Sequence, residues 1–512
     1  MTLDYASQAD FLIAFLPEII LCVWGMIILM VSVTGARRRG AVGDTPSNTP
    51  SDTTAIGRLA LGGVILAGVA NGWLYGVVDA GTGAVVSVDA FRLFANWIVL
   101  AAGAMSILLA LPYVDRQGLQ GGEFYALLTF AMAGAMVMSG AGDLILIFLG
   151  LEVMSVSVYA LTAFNRRDRR SAEAGMKYFL LGAFSTAFLL FGITLVWGAT
   201  GATAIGAIGE AVRGGGVDTV LLLPGIALLI VGFGFKVAVV PFHMWAPDVY
   251  EGAPLPVTAF MSTAVKAAAF VAFLRVFYLG FSPVSGDWAP VIWGISVFTM
   301  VGANLLALVQ TNVKRMLAYS SVAHAGYLLV ALVALNETAG AALLFYLLVY
   351  TFMNIGAFAV VTGVALQRED RLQVSDYAGL GRRHPVVGVT MTVFLLSLAG
   401  FPGTGGFMAK AYLLLGAAEA ELWSLSVILV LATVVSYVYY LRLARMMWME
   451  EAPRAGEMES ALFPSTARAV LVIAAVFVLV TGVFPSMGIG FARDGIGALL
   501  SGLGAAVGIP VP

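Results

Sequence analysis

The chain has 512 residues, of which 60% are hydrophobic and only 11% charged, with a formal net charge of −2 and a mean hydropathy of +0.96. Soluble domains carry roughly 25% charged residues, so a soluble globular protein is excluded. Apolar runs of membrane-spanning length recur from end to end, and they are continuous rather than alternating, which excludes a β-barrel and leaves an all-α polytopic membrane protein.

In chain order, the acidic start MTLDYASQAD lacks the basic flank of a cleavable signal, and the first apolar run reads as a true span. About fourteen spans follow one another at 11–34, 57–78, 91–112, 121–140, 143–164, 172–199, 219–245, 256–280, 288–310, 314–335, 339–366, 386–416, 422–448 and 467–489. The polar segment GDTPSNTPSDTT (43–54) reads as a disordered loop between the first two spans. Cys22, the single cysteine, lies in the first span and reads as a packing residue. One thiol can make neither an internal disulfide nor an iron–sulfur cluster, which needs about four. The Gly-rich GTGG at 403–406 follows no predicted strand, and no Walker-type phosphate loop is present.

Loop charge sets the orientation. One set of alternate loops carries Arg37, Arg38, Arg39, Arg58, Arg116, Arg166, Arg167, Arg169, Arg170, Lys314, Arg315, Arg368, Arg371, Arg382, Arg383, Arg442, Arg445, Arg454 and Arg468. The opposite set has Arg92, Arg213, Arg275 and Arg493. Positive loops stay cytoplasmic, so both termini are expected outside the cell's inner membrane.

Lysine is distributed differently. Of the five lysines, Lys314 falls in a loop, while Lys177, Lys236, Lys266 and Lys410 fall inside predicted spans. Each buried charge costs at least about 2.5–3.5 kcal/mol, and packing alone does not require one. Arginine is effectively always protonated, whereas a buried lysine can lose its proton. The titratable cation is therefore the one placed in the membrane, although Lys177, near a span end, could snorkel to the interface. Glu152 lies mid-span in FLGLEVMSVSVYALTAF and is an acidic partner candidate; Glu18, in LPEIIL, lies closer to a span end. His324 sits about ten residues into its span, and His384, after Arg382 and Arg383, reads as a solvated loop residue.

Two spans carry helix breaks. The stretch FGFKVAVVPFHMW places Pro241 and His243 just after Lys236, and GFPGTGGFMAK places Pro402 eight residues before Lys410. Proline removes a backbone donor, and non-helical backbone at membrane depth is tolerated where it lines a cavity or is buried in protein. The breaks lie five spans apart, an odd number, so the second runs in the opposite sense. This implies an inverted pair of five-helix repeats, each with a broken helix. The expected organisation is an N-terminal three-helix segment (1–120), repeats at 121–280 and 287–450, and a last span with a short tail (465–512).

FGFKVAVVPFHMWAPDVYEGAPLPVTAFMSTAVKAAAF, KRMLAYSSVAHAGYLL and GFPGTGGFMAKAYLL resemble signature segments of the antiporter-like subunits of complex I, the proton-pumping NADH:quinone oxidoreductase. The resemblance runs from about the third span to the fourteenth. MKYFLLGAFSTAFLLFGITL and Lys410 are similar to the branch of that family with lysine, where another branch has glutamate, in the twelfth span. The resemblance implies that Glu152 pairs with Lys236, that Lys177 modulates the pair, and that Lys266 is the connecting lysine. It also implies that His243 and His324 belong to a central polar axis and that Lys410 faces the periplasmic exit. No cofactor is implied in this chain: FMN, iron–sulfur clusters, NADH and quinone would belong to other subunits. The implied partners are protons, lipid, other membrane-arm subunits and the neighbouring antiporter-like subunit, with no nucleic acid. A subunit of a multi-subunit cation/proton antiporter, which shares fold and lysines, is the rival reading, and a non-conducting membrane scaffold the third.

Overall fold

The computed structural model describes residues 8–40, 50–77, 85–366, 372–451 and 463–507. Among them no strand is present, only isolated bridges between loops. Among the described residues thirteen helices are long and apolar enough to cross a membrane. A further expected span, the twelfth, is broken into Pro385–Ala399 and Gly405–Glu419. The seventh runs as helix from Thr219 to Val237 and resumes as a short helix, Trp245–Gly252, outside the spanning segment.

Asx residues start many of these helices. Asp89, Asp143, Asp168, Asp218, Asn312 and Asn336 each accept a backbone N–H from the first turn of the third, fifth, sixth, seventh, tenth and eleventh spans. Such a cap satisfies one of the four donors that a helix start leaves without an intrahelical partner. Small residues set the helix spacing. A Cβ on Gly150 of the fifth span would lie 2.6 Å from the backbone nitrogen of Met138 in the fourth, so only glycine permits that approach.

The spans form a central column and an outer ring. The eighth span, Leu255–Gly280, is buried throughout its apolar window, and the tenth and eleventh nearly so. The first, sixth, ninth and thirteenth keep apolar faces outward, as lipid contact requires. The eighth span is not uniformly α-helical: Met261–Val265, just before Lys266, and Val276–Gly280, just after Arg275, are π-helical turns.

Several expectations are corrected here. Residues 50–54 of the expected disordered loop form the start of the helix Pro50–Val77, while 43–49 lie outside the described residues. The expected short tail contains a helix, Ser486–Val507, whose Ile496 packs against Gly340 of the eleventh span. Arg92 and Arg275, assigned to loops, are buried. Arg92 donates to Glu18 at 2.7 Å, tying the third span to the first. Arg275 makes a two-pronged pair with Asp89 at 2.7 and 2.9 Å, tying the eighth span to the third. Each guanidinium is neutralised inside the protein, which is why neither needs water. Lys314 is likewise buried, its ammonium donating to the carbonyls of Glu251 and Ala253 at 2.7 and 2.8 Å.

Candidate functional site

The first break is tied into the surrounding helices by hydrogen bonds from both of its sides. Ala238 adopts a left-handed conformation (φ 61°) that stops the helix two residues after Lys236. The freed carbonyl of Phe235 accepts from the Trp245 indole at 2.9 Å, and the N–H of Val240 donates to Thr299 of the ninth span at 3.0 Å. Pro241 follows within the break, so the helix cannot continue. His243 sits there too, half-buried, with its Nδ1 shielded and without a partner among the described residues; it does not join the buried lysines.

Lys236 is buried in the last turn before this break. Its ammonium donates to the Ser155 hydroxyl at 2.7 Å and lies 5.6 and 5.4 Å from the ring centres of Tyr159 and Tyr178. Tyr178 in turn stacks on Trp245 at 4.4 Å. Ser155 donates onward to the Leu151 carbonyl. Beside Lys236 is a cavity of about 10 Å³ bordered by Ser185 and Thr186, close to the size that holds one water.

The expected Glu152–Lys236 ion pair is not formed. Glu152 is half-buried one turn before Ser155 and makes no ion pair among the described residues. The Ser155 hydroxyl takes the ammonium's bond instead. Lys177 takes the interfacial position that its place near a span end allowed. Its side chain is 42% exposed and paired at 2.8 Å with both Glu173 and Asp248, so it lies at the rim. Asp248 also meets Arg315 at 2.8 Å. Burial alone would raise the Asp248 carboxyl, but the hydrogen bonds and charges of Lys177 and Arg315 outweigh it and hold it below the usual carboxylate value.

The remaining titratable groups line one face of the tenth span. Ser321, His324 and Tyr327 recur at i, i+3 and i+6, a run of about 9 Å along the helix. At Ser321, Lys266 donates to both the carbonyl and the hydroxyl at 2.6 Å. At His324, Nδ1 meets the Tyr346 hydroxyl at 2.6 Å and Nε2 the Tyr440 hydroxyl at 3.3 Å, and Tyr440 also bonds Ser320. At Tyr327, the Lys410 ammonium stands 4.8 Å from the ring centre.

Lys410 reaches back across the second break. Gly400 (φ 84°) ends the first half-helix, and the Lys410 ammonium donates to the freed carbonyls of Leu398 and Ala399 at 3.0 and 3.2 Å. Pro402 follows Gly400 in the break. Both Lys236 and Lys410 thus sit at the C-terminal end of a half-helix, where the partial negative charge favours a cation without a carboxylate partner. Among the described residues no three His, Cys, Asp or Glu side chains gather as metal ligands.

The sequence reading missed Ser155, Ser321, Tyr346 and Tyr440. Isolated hydroxyls are too common in membrane helices to single out, but the Ser–His–Tyr spacing of the tenth span was an available signal.

Residues 141–436 match the family described as NADH:quinone oxidoreductase/Mrp antiporter, transmembrane. The chain is 44% identical over 486 residues to an NADH-quinone oxidoreductase subunit N of Trichlorobacter lovleyi, covering 94% of this chain and 96% of that one. It is similar to a chain of respiratory complex I from Thermus thermophilus, solved with aureothin, at 32% identity and a TM-score of 0.73, covering 92% and 99%. A chain of the Mrp complex from a Dietzia species shares the fold, with a TM-score of 0.79 at 20% identity over 96% of this chain and 99% of that one.

Proposed function

The chain belongs to the NADH-quinone oxidoreductase subunit N family, and from that premise we propose that protons move along the file Lys236, Lys266, His324, Lys410. It is a proton-translocating, multi-pass membrane subunit that works with other complex I subunits and is not itself redox-active. The observation that carries the proposal is the tenth-span face, which brings together Lys266 on the Ser321 hydroxyl, His324 between the Tyr346 and Tyr440 hydroxyls, and Lys410 over the Tyr327 ring, while Lys236 stands at the first break.

Lys236 is the loading site. Ser155 holds the ammonium and Glu152 biases its charge from one turn away. Lys177 acts on this site from the rim, through Asp248. Lys266 and His324 pass charge in the membrane plane, and Lys410 releases it toward the periplasm. His243 supports the broken backbone beside the file. The seventh and twelfth spans belong to two inverted five-helix repeats. FMN, iron–sulfur clusters, NADH and quinone belong to other subunits, so redox energy arrives from outside this chain. Its neighbours include a second antiporter-like subunit, and it sits in the bacterial inner membrane with both termini periplasmic.

The test is Lys410→Ala in assembled complex reconstituted in proteoliposomes. Redox-driven proton uptake should fall while the complex remains assembled. Unchanged pumping per assembled complex would remove Lys410 from the path.

A further inference from the structure

The twelfth and fourteenth spans begin side by side and enclose a groove of about 340 Å³. Its rim is basic: Arg383 and His384 stand just before the helix Pro385–Ala399, and Arg468 in the first turn of Ser465–Val483. Below the rim the walls turn apolar within one helical turn. Val386 is 64% exposed and Val472, four residues after Arg468, is 50% exposed. Phe463 is buried at the groove, against Gly363 of the eleventh span.

Four residues of helix rise about 6 Å, so cations and exposed apolar side chains are stacked along the helix axis at roughly the spacing of a lipid headgroup and the start of its acyl chain. A free anion would leave the apolar walls unused, and a neutral hydrocarbon would leave the basic rim unused. Basic pockets between membrane helices suit anionic headgroups. We propose that this groove binds an anionic phospholipid, with its phosphodiester at Arg383, His384 and Arg468 and an acyl chain along Val386 and Val472. The site lies apart from the lysine file and goes beyond the proton-translocation reading.

The test uses the intact complex in nanodiscs containing photoactivatable phosphatidylglycerol or phosphatidylcholine with identical chains. Crosslinks to residues 385–387 and 468–472 are quantified by mass spectrometry. Phosphatidylglycerol should label this groove in excess of phosphatidylcholine. Each arginine changed to glutamine should lower that excess about 5-fold, and Arg383→Gln/Arg468→Gln should bring it near the phosphatidylcholine level. Arg468→Lys, which keeps the charge, should retain it. Equal labelling by the two lipids in the unaltered protein would overturn the proposal without any variant. So would loss of phosphatidylglycerol labelling to millimolar inorganic phosphate, which would make this a free-anion site. Absence of lipid labelling, showing the groove covered by polypeptide, would overturn it equally.

Discussion

Lys236→Arg separates a proton-releasing residue from a fixed cation. The substitution conserves charge and keeps a donor for the partner, a hydroxyl at 2.7 Å with two aromatic rings at 5.4–5.6 Å. A guanidinium donates to such a hydroxyl and stacks on aromatic faces at least as well as an ammonium. A purely structural cation would therefore tolerate the change. A residue that must give up its proton would not. The intrinsic proton affinities of lysine and arginine differ by about 2–3 pH units, and each unit is worth about 1.4 kcal/mol. If the site acts on both cations alike, reaching the neutral form costs arginine about 3–5 kcal/mol more, a loss on the order of 10²–10³-fold in its population. The assay is redox-driven proton pumping in proteoliposomes, normalised to assembled complex, with Lys236→Ala alongside. Both variants should lose coupled pumping with assembly intact. Pumping near the unaltered level in Lys236→Arg would refute proton release from Lys236 and leave it a fixed electrostatic element.

Asp89→Ala leaves Arg275 buried without its carboxylate and removes the cap of the third span. It should destabilise the subunit by about 4–6 kcal/mol, summing a broken buried pair and a lost cap. Denaturant titration of the purified subunit measures this, and Asp89→Ala/Arg275→Met, which removes both charges, should recover part of the loss. Under the proposed topology, which puts the arginine-rich loops on the cytoplasmic side, cysteines at Asn165 and Ser375 should resist a membrane-impermeant thiol reagent in intact cells. Ready labelling from outside would reverse the topology.

The fold was largely legible because a bilayer imposes a coarse rule. A backbone that cannot bond water must be helical, and each crossing needs about 20 apolar residues. The span order, the two broken helices and the lysines inside spans all follow from that rule, since proline and charge stand out against apolar runs. The rule is weaker at the edges. The polar segment at 50–54 is low in apolar residues, yet it starts a helix that continues to Val77.

What the sequence by itself determined is which groups are unusual: Lys236, Lys266, His324 and Lys410, with Pro241 and Pro402 beside the breaks. Only the tertiary structure decided their partners. Lys236 meets Ser155 and not Glu152, and Lys177 turns outward to Asp248. Arg275 finds Asp89 186 residues away, so a residue expected in a loop becomes part of the core. The physical reason is that buried membrane helices such as the eighth and tenth are apolar on every side. Periodicity then marks no inward face, and partners are chosen by helix rotation and packing, which no single span records.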